Sequence, residues 1–109
     1  MSVKLTIGFL GAGKMATALA RGLVRAKLAE PGQIFASDPI VAAQESFARE
    51  TGGKSVASNS EVVKSAKVIF LSVKPDQAAA VLGDVRESFS GDHLLISIAA
   101  GDREYASPF

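Results

Sequence analysis

The sequence contains no cysteine, which excludes disulfides, zinc–thiolate sites and a thiol nucleophile. Its one histidine, His93, directly follows the turn Ser90-Gly91-Asp92 and opens an apolar run, so it reads as a strand-start residue rather than an acid–base group. Charge of one sign is also lacking. Twelve basic and 11 acidic side chains leave a net charge of +1, and nothing in that balance points to a nucleic-acid or membrane partner. No apolar run approaches the ~20 residues that span a bilayer. The start, Met1-Ser2-Val3-Lys4, runs into the first apolar segment without the charged and apolar regions of a secretory signal. The expectation is a soluble, cytoplasmic protein.

What remains is a globular composition, 48% hydrophobic and 21% charged over 109 residues, enough for one domain with a core and too short for two ordinary ones. The chain is organised around Leu5 to Leu28. This stretch begins as an apolar run, passes through Gly8, Gly11 and Gly13, and then changes its hydrophobic period from strand-like to helix-like. In the helical part Met15, Ala16, Leu19, Ala20, Leu23 and Val24 make an apolar stripe, with Lys14, Thr17, Arg21 and Arg25 on another face. Gly11-Ala12-Gly13-Lys14-Met15-Ala16 fits G-x-G-x-x-G/A, the phosphate-cradling turn of dinucleotide-binding folds. Gly11 would allow the sharp turn, Gly13 the approach of a pyrophosphate, and Ala16 close helix–sheet packing. The helix start supplies unpaired N–H groups and partial positive charge. Gly8 to Lys14 also fits the opening of a P-loop. However, Met15 stands where a magnesium-binding Ser or Thr belongs, and the apolar run Val68 to Val73 lacks the metal-binding aspartate.

Further along, Gln33 to Ser37 reads as a second strand ending at Asp38, and a carboxylate about 20 residues beyond the glycine turn suits the adenosine ribose hydroxyls. Asp38 equally suits a helix cap before Pro39. Pro39 to Thr51 predicts a helix with Ile40, Ala43, Phe47 and Ala48 inward, stopped by Gly52-Gly53. Lys54 to Val56 is a short strand. Ser58-Asn59-Ser60-Glu61 has capping-box form, opening a helix through Ala66; Asn59 and Ser60 serve either that cap or a ligand. The run Lys67 to Val73 reads as a central parallel strand, ending at Lys74-Pro75-Asp76. A helix carrying Ala78, Val81, Leu82, Val85 and Phe89 and a last strand, His93 to Ile98, complete the pattern.

Strands alternating with helices predict an α/β, Rossmann-type, doubly wound parallel sheet of about five strands in three α/β/α layers. Ligands of such sheets lie at the carboxyl ends of the strands. The last strand, if it forms an open edge, offers pairing to a second copy.

Taken in order, G-F-L-G-A-G-K-M-A-T-A-L-A-R-G-L, A-S-D-P, S-N-S-E-V-V, F-L-S-V-K-P and L-L-I-S-I-A-A-G resemble the amino-terminal domain of the pyrroline-5-carboxylate reductases. The resemblance implies an NADPH- or NADH-binding domain of an enzyme that transfers a hydride to a cyclic imine, giving L-proline. By position it places Gly11, Ala12, Gly13, Lys14 and Met15 along the pyrophosphate, and Ser37 and Asp38 beside the adenosine ribose. Asn59 falls on the same nucleotide half, and Val73, Lys74, Pro75, Ala99, Ala100 and Gly101 beside the nicotinamide. Small residues at 99–101 suit a flat ring near the backbone, and Pro75 leaves no N–H to satisfy. Lys74 suits either an anionic ligand or solvent.

Asp38 argues for NADH, since the first arginine after it is Arg49. Ser37 as a phosphate donor, and the family's common usage, argue for NADPH, toward which the resemblance leans. Residues 1–101 are expected to form the nucleotide domain. The tail at 102–109 departs from the family, as a disordered end, a cloning remnant or an alternative terminus. The family's helical second domain, which forms the dimer and contacts the imine substrate, matches no part of this sequence, so the chain alone is expected to hold the cofactor without completing the reaction. Two rivals stand beside this reading: a non-catalytic module that binds a nicotinamide nucleotide, and the nucleotide domain of a hydroxyacid dehydrogenase.

Overall fold

The computed structural model describes residues 5–98. The expectations for Ala99, Ala100 and Gly101, and for the tail at 102–109, lie outside the described residues. Strands β1 (Ile7–Leu10), β2 (Ile34–Ser37), β3 (Lys54–Ser55), β4 (Val68–Leu71) and β5 (Leu94–Ser97) alternate with helices α1 (Lys14–Arg25), α2 (Val41–Thr51), α3 (Asn59–Ser65) and α4 (Pro75–Val85). Short 3₁₀ turns at Pro31–Gln33 and Arg86–Ser88 precede β2 and follow α4. The five strands form one sheet, ordered β3-β2-β1-β4-β5, and every pairing is parallel. Among the described residues no helix is long and apolar enough to cross a membrane.

Side chains alternate across the central strands, and each sheet face builds its own core. Ile7, Phe9, Ile34 and Ala36 pack with Ala16, Ala20 and Phe47, joining the sheet to α1 and α2. Leu10, Ile69 and Leu71 pack with Val62, Val63, Ala66 and Val85, joining it to α3 and α4. Phe9 is the hub of the first core, stacked on Phe70 at 5.2 Å and edge-on to Phe47 at 5.8 Å. That arrangement contributes about 0.5–1.5 kcal/mol per aromatic pair beyond area burial. The small Ala16 and Ala20, both fully buried, let α1 lie close on β1.

Several boundaries and faces differ from the pattern reading. Thr17 is buried and Met15 is 40% exposed, so α1 turns an alanine–threonine line to the sheet and leaves Met15 at its rim. Ile40 is 61% exposed rather than inward, because α2 starts only at Val41 and Ile40 is an extended N-cap residue (φ −96°, ψ 116°). Strand β4 stops at Leu71, where its partner β1 stops at Leu10. Beyond that pair the β1 chain bends into the glycine turn. Helix α4 ends at Val85, and Phe89 reaches the second core from beyond the following 3₁₀ turn.

Candidate functional site

The carboxyl ends of β1 and β2 are stitched together past the last ladder rung. Gly11 N–H donates to the Ser37 carbonyl at 2.9 Å, and the next amide, Ala12 N–H, donates to Asp38 Oδ2 at 2.8 Å. The other carboxylate oxygen, Oδ1, accepts from Ile40 N–H at 2.9 Å, and Gln44 Nε2 donates to the Asp38 carbonyl. Asp38 thus satisfies a backbone amide after β2, and its second oxygen fixes the glycine turn. From the other side Ser72 binds β1: its N–H donates to the Leu10 carbonyl at 2.9 Å, and its hydroxyl donates to the Gly11 carbonyl at 2.8 Å.

Between these anchors Gly11 has φ +107°, and a Cβ there would sit 2.8 Å from the Ser72 carbonyl oxygen. Conformation and space both demand glycine at this position. Gly13 contrasts with it. Its φ is −80°, open to any residue, and a Cβ there would meet nothing within 4 Å. The fold does not require glycine at position 13, and the open space lies at the start of α1. That start carries no side-chain cap and no acidic residue in its first turn, so its first N–H groups face outward with the positive end of the helix dipole.

Of the residues singled out by sequence, Gly11, Ser37, Asp38, Asn59 and Val73 line one cleft of about 570 Å³ at the carboxyl edge of the sheet. Ala12, Gly13 and Lys14 line a second cleft of about 430 Å³ between α1 and α2, with Arg21 and Glu50, an exposed pair 3.8 Å apart. Met15, Lys74 and Pro75 line neither cleft. Lys74 is exposed and stands at the N-cap position of α4, with Pro75 as the first helical residue.

The two roles open for the Ser58-Asn59-Ser60 segment separate. Ser58 Oγ accepts from Glu61 N–H at 3.2 Å and is the cap. Asn59 takes no part in capping: its Oδ1 accepts from the Ser37 hydroxyl, and its Nδ2 donates to Asp84 Oδ2 at 3.3 Å. Ser60 pairs with Ser88 at 3.2 Å and does not line the cleft. Two participants escaped sequence reasoning. Ser72 had a signal, a lone hydroxyl closing an otherwise apolar run. Asp84 had none, since only the fold brings α4 to the start of α3. His93 is structural, its Nε2 2.8 Å from the Val63 carbonyl and its Nδ1 accepting from Ser90 N–H at 3.0 Å.

A parallel sheet ordered β3-β2-β1-β4-β5, with a glycine turn between β1 and an uncapped α1, is the Rossmann-type architecture of dinucleotide-binding oxidoreductase domains. Within that class the chain belongs to the family described as NADP oxidoreductase, coenzyme F420-dependent, which it matches over residues 6–101. It is 38% identical over 101 residues to pyrroline-5-carboxylate reductase 3 of Rattus norvegicus, covering 93% of this chain and 36% of that protein. Among solved structures, the NADP-bound pyrroline carboxylate reductase of Plasmodium falciparum is 30% identical with a TM-score of 0.73, over 87% of this chain and 33% of that one. The pyrroline-5-carboxylate reductase of Coxiella burnetii is 27% identical with a TM-score of 0.81, over 91% and 37%. The chain therefore spans about a third of the length of the proteins it resembles.

Proposed function

We propose that this chain is the nicotinamide-dinucleotide-binding part of a reductase that converts 1-pyrroline-5-carboxylate to L-proline. The observation that carries the reading is the contrast between Gly11, which the fold requires, and Gly13, which it does not. A glycine at an open position beside unpaired helix N–H groups fits a ligand that must approach the backbone. The bound dinucleotide would supply the hydride. Gly13, Lys14 and Met15 would hold its pyrophosphate, Asp38 and Asn59 its adenosine half, and Val73, Lys74 and Pro75 would stand near the reacting ring. Val73 lines the cleft, whereas Lys74 is exposed and would act through charge alone.

Hydride transfer needs donor and acceptor carbons in near-attack geometry with water excluded. Residues beyond those that resemble the nucleotide domain would contribute that closure, along with the imine subsite and any homo-oligomer contacts. The nucleotide domain is assigned to residues 1–101, and the cytoplasmic placement belongs to the same proposal. The test is a chimera in which this chain replaces the matching amino-terminal segment of the Rattus norvegicus relative. Dinucleotide-dependent formation of proline from 1-pyrroline-5-carboxylate supports the assignment. A folded chimera that binds dinucleotide and reduces a different class of carbonyl or imine instead would overturn the substrate.

A further inference from the structure

We infer that Ser72 is a positioning residue for the glycine turn: its hydroxyl, with Asp38 opposite, holds the Gly11–Ala12 peptide in the orientation that aims the next amides at a ligand. The inference rests on the dinucleotide reading above. Ser72 lines neither cleft, so it acts through the turn and not on the ligand.

A trans peptide presents its carbonyl oxygen and its N–H on opposite edges of one plane. In the Gly11–Ala12 peptide both edges are bonded to side chains. The Gly11 carbonyl accepts from Ser72 Oγ at 2.8 Å, and Ala12 N–H donates to Asp38 Oδ2 at 2.8 Å. These side chains follow directly on different strands, Ser72 on β4 and Asp38 on β2, so the turn leaving β1 is gripped from both sides. Ser72 has a single hydroxyl proton. Its oxygen also lies 3.1 Å from the Leu10 carbonyl, but that carbonyl already accepts the Ser72 N–H at 2.9 Å, and Gly11 is the nearer acceptor.

The grip falls where the backbone is softest. Glycine reaches positive and negative φ about equally readily, and Gly11 stands at φ +107°. A reversed peptide would set the Gly11 carbonyl against the Asp38 carboxylate, two acceptors with no proton between them. Beyond the held peptide Ala12 is buried, and the Gly13 carbonyl accepts the Thr17 N–H at 2.9 Å, which starts α1. One buried residue therefore separates the held peptide from the unpaired N–H groups of Gly13, Lys14 and Met15, and their direction follows from it. The Ala12 N–H is itself spent on Asp38, which leaves those three amides as the donors for a pyrophosphate.

The test compares the native 109-residue chain with Ser72→Ala and Ser72→Thr, each titrated calorimetrically with NADH and unfolded in urea. Ser72→Ala should bind NADH about tenfold more weakly while folded, the scale of one lost hydrogen bond, and Ser72→Thr, which keeps the hydroxyl, should restore binding to within about threefold. A merely structural role lowers the urea midpoint of Ser72→Ala and leaves its affinity unchanged. That result, or a folded Ser72→Thr that binds as weakly as Ser72→Ala, overturns the inference and leaves the dinucleotide reading intact. Amide hydrogen exchange on the native chain decides if Ser72→Ala does not fold: the Ala12 N–H should be protected before any ligand is added, and the Gly13 and Lys14 N–H groups should gain protection with NADH. An unprotected Ala12 amide in the free chain, or no gain at Gly13 and Lys14 on saturation, overturns the inference. Binding of no NADH by the folded native chain at millimolar concentration overturns the dinucleotide reading itself, and this inference with it.

Discussion

Gly11 and Gly13 stand in one short motif and respond to the same substitution in opposite ways. At Gly11, φ is +107° and an added methyl group would sit 2.8 Å from the Ser72 carbonyl oxygen, so backbone strain and overpacking combine. Gly11→Ala should therefore cost about 2–4 kcal/mol of stability, read as a lower urea midpoint. At Gly13 the methyl group meets nothing, and only the weaker cap propensity of alanine is felt. Gly13→Ala should change stability by less than about 1 kcal/mol while weakening dinucleotide binding roughly tenfold, read by paired unfolding and titration experiments. A stability loss as large at Gly13 as at Gly11 would assign both glycines to folding. Both glycines were legible in the sequence, because the spacing of the motif names them. The network behind them was only half legible. Asp38 stood out as the carboxylate ending a strand, but its bond to Ala12 N–H joins residues 26 positions apart and depends on how β1 and β2 lie side by side. Asp84 depends likewise on the approach of α4 to α3.

At the scale of elements, α2 and α3 show what holds the site in place. Helix α2 is pinned by Phe47, fully buried and edge-on to Phe9, and its end is closed by Thr51, whose hydroxyl donates to the Phe47 carbonyl at 2.7 Å and accepts from Gly53 N–H at 2.9 Å. Phe47→Ala should cost about 3–5 kcal/mol, measured by chemical denaturation. Helix α3 is short and carries Asn59 at its first position, so its start matters more than its length. Ser58→Ala removes the acceptor for Glu61 N–H and should cost about 1 kcal/mol, with a lower urea midpoint as the readout; no change would mean that the cap is replaced by water. The Ser58 half of the expected capping box, its acceptance from Glu61 N–H, was readable from the sequence, since its chemistry is local. The start of α2 was not. Pro39 matched a first helical residue, yet Asp38 turned its carboxylate to Ile40 N–H, and the helix began later with Ile40 exposed. One side chain makes a local bond with Oδ1 and a tertiary bond with Oδ2, and the sequence pattern carries only the local term.

At the scale of the molecule, alternating apolar runs and helical periods were sufficient to read the parallel three-layer fold, because parallel neighbours require crossovers. The strand order required the structure: β1 sits between β2 and β4, and this order brings the ends of β1, β2 and β4 to one edge. Only then do Gly11, Ser37, Asp38, Asn59 and Val73 share a cleft. A dinucleotide bound there should leave a single footprint spanning that edge and the start of α1. The most direct measurement is an amide-resolved NMR titration of the chain with NADH. Saturable shifts concentrated at Gly11, Ala12, Gly13, Lys14 and Met15, and continuing to Ser37, Asp38 and Asn59, are the predicted result. Shifts confined to the α3–α4 surface around Lys64 and Arg86, or no shift from a folded chain at millimolar NADH, would contradict it.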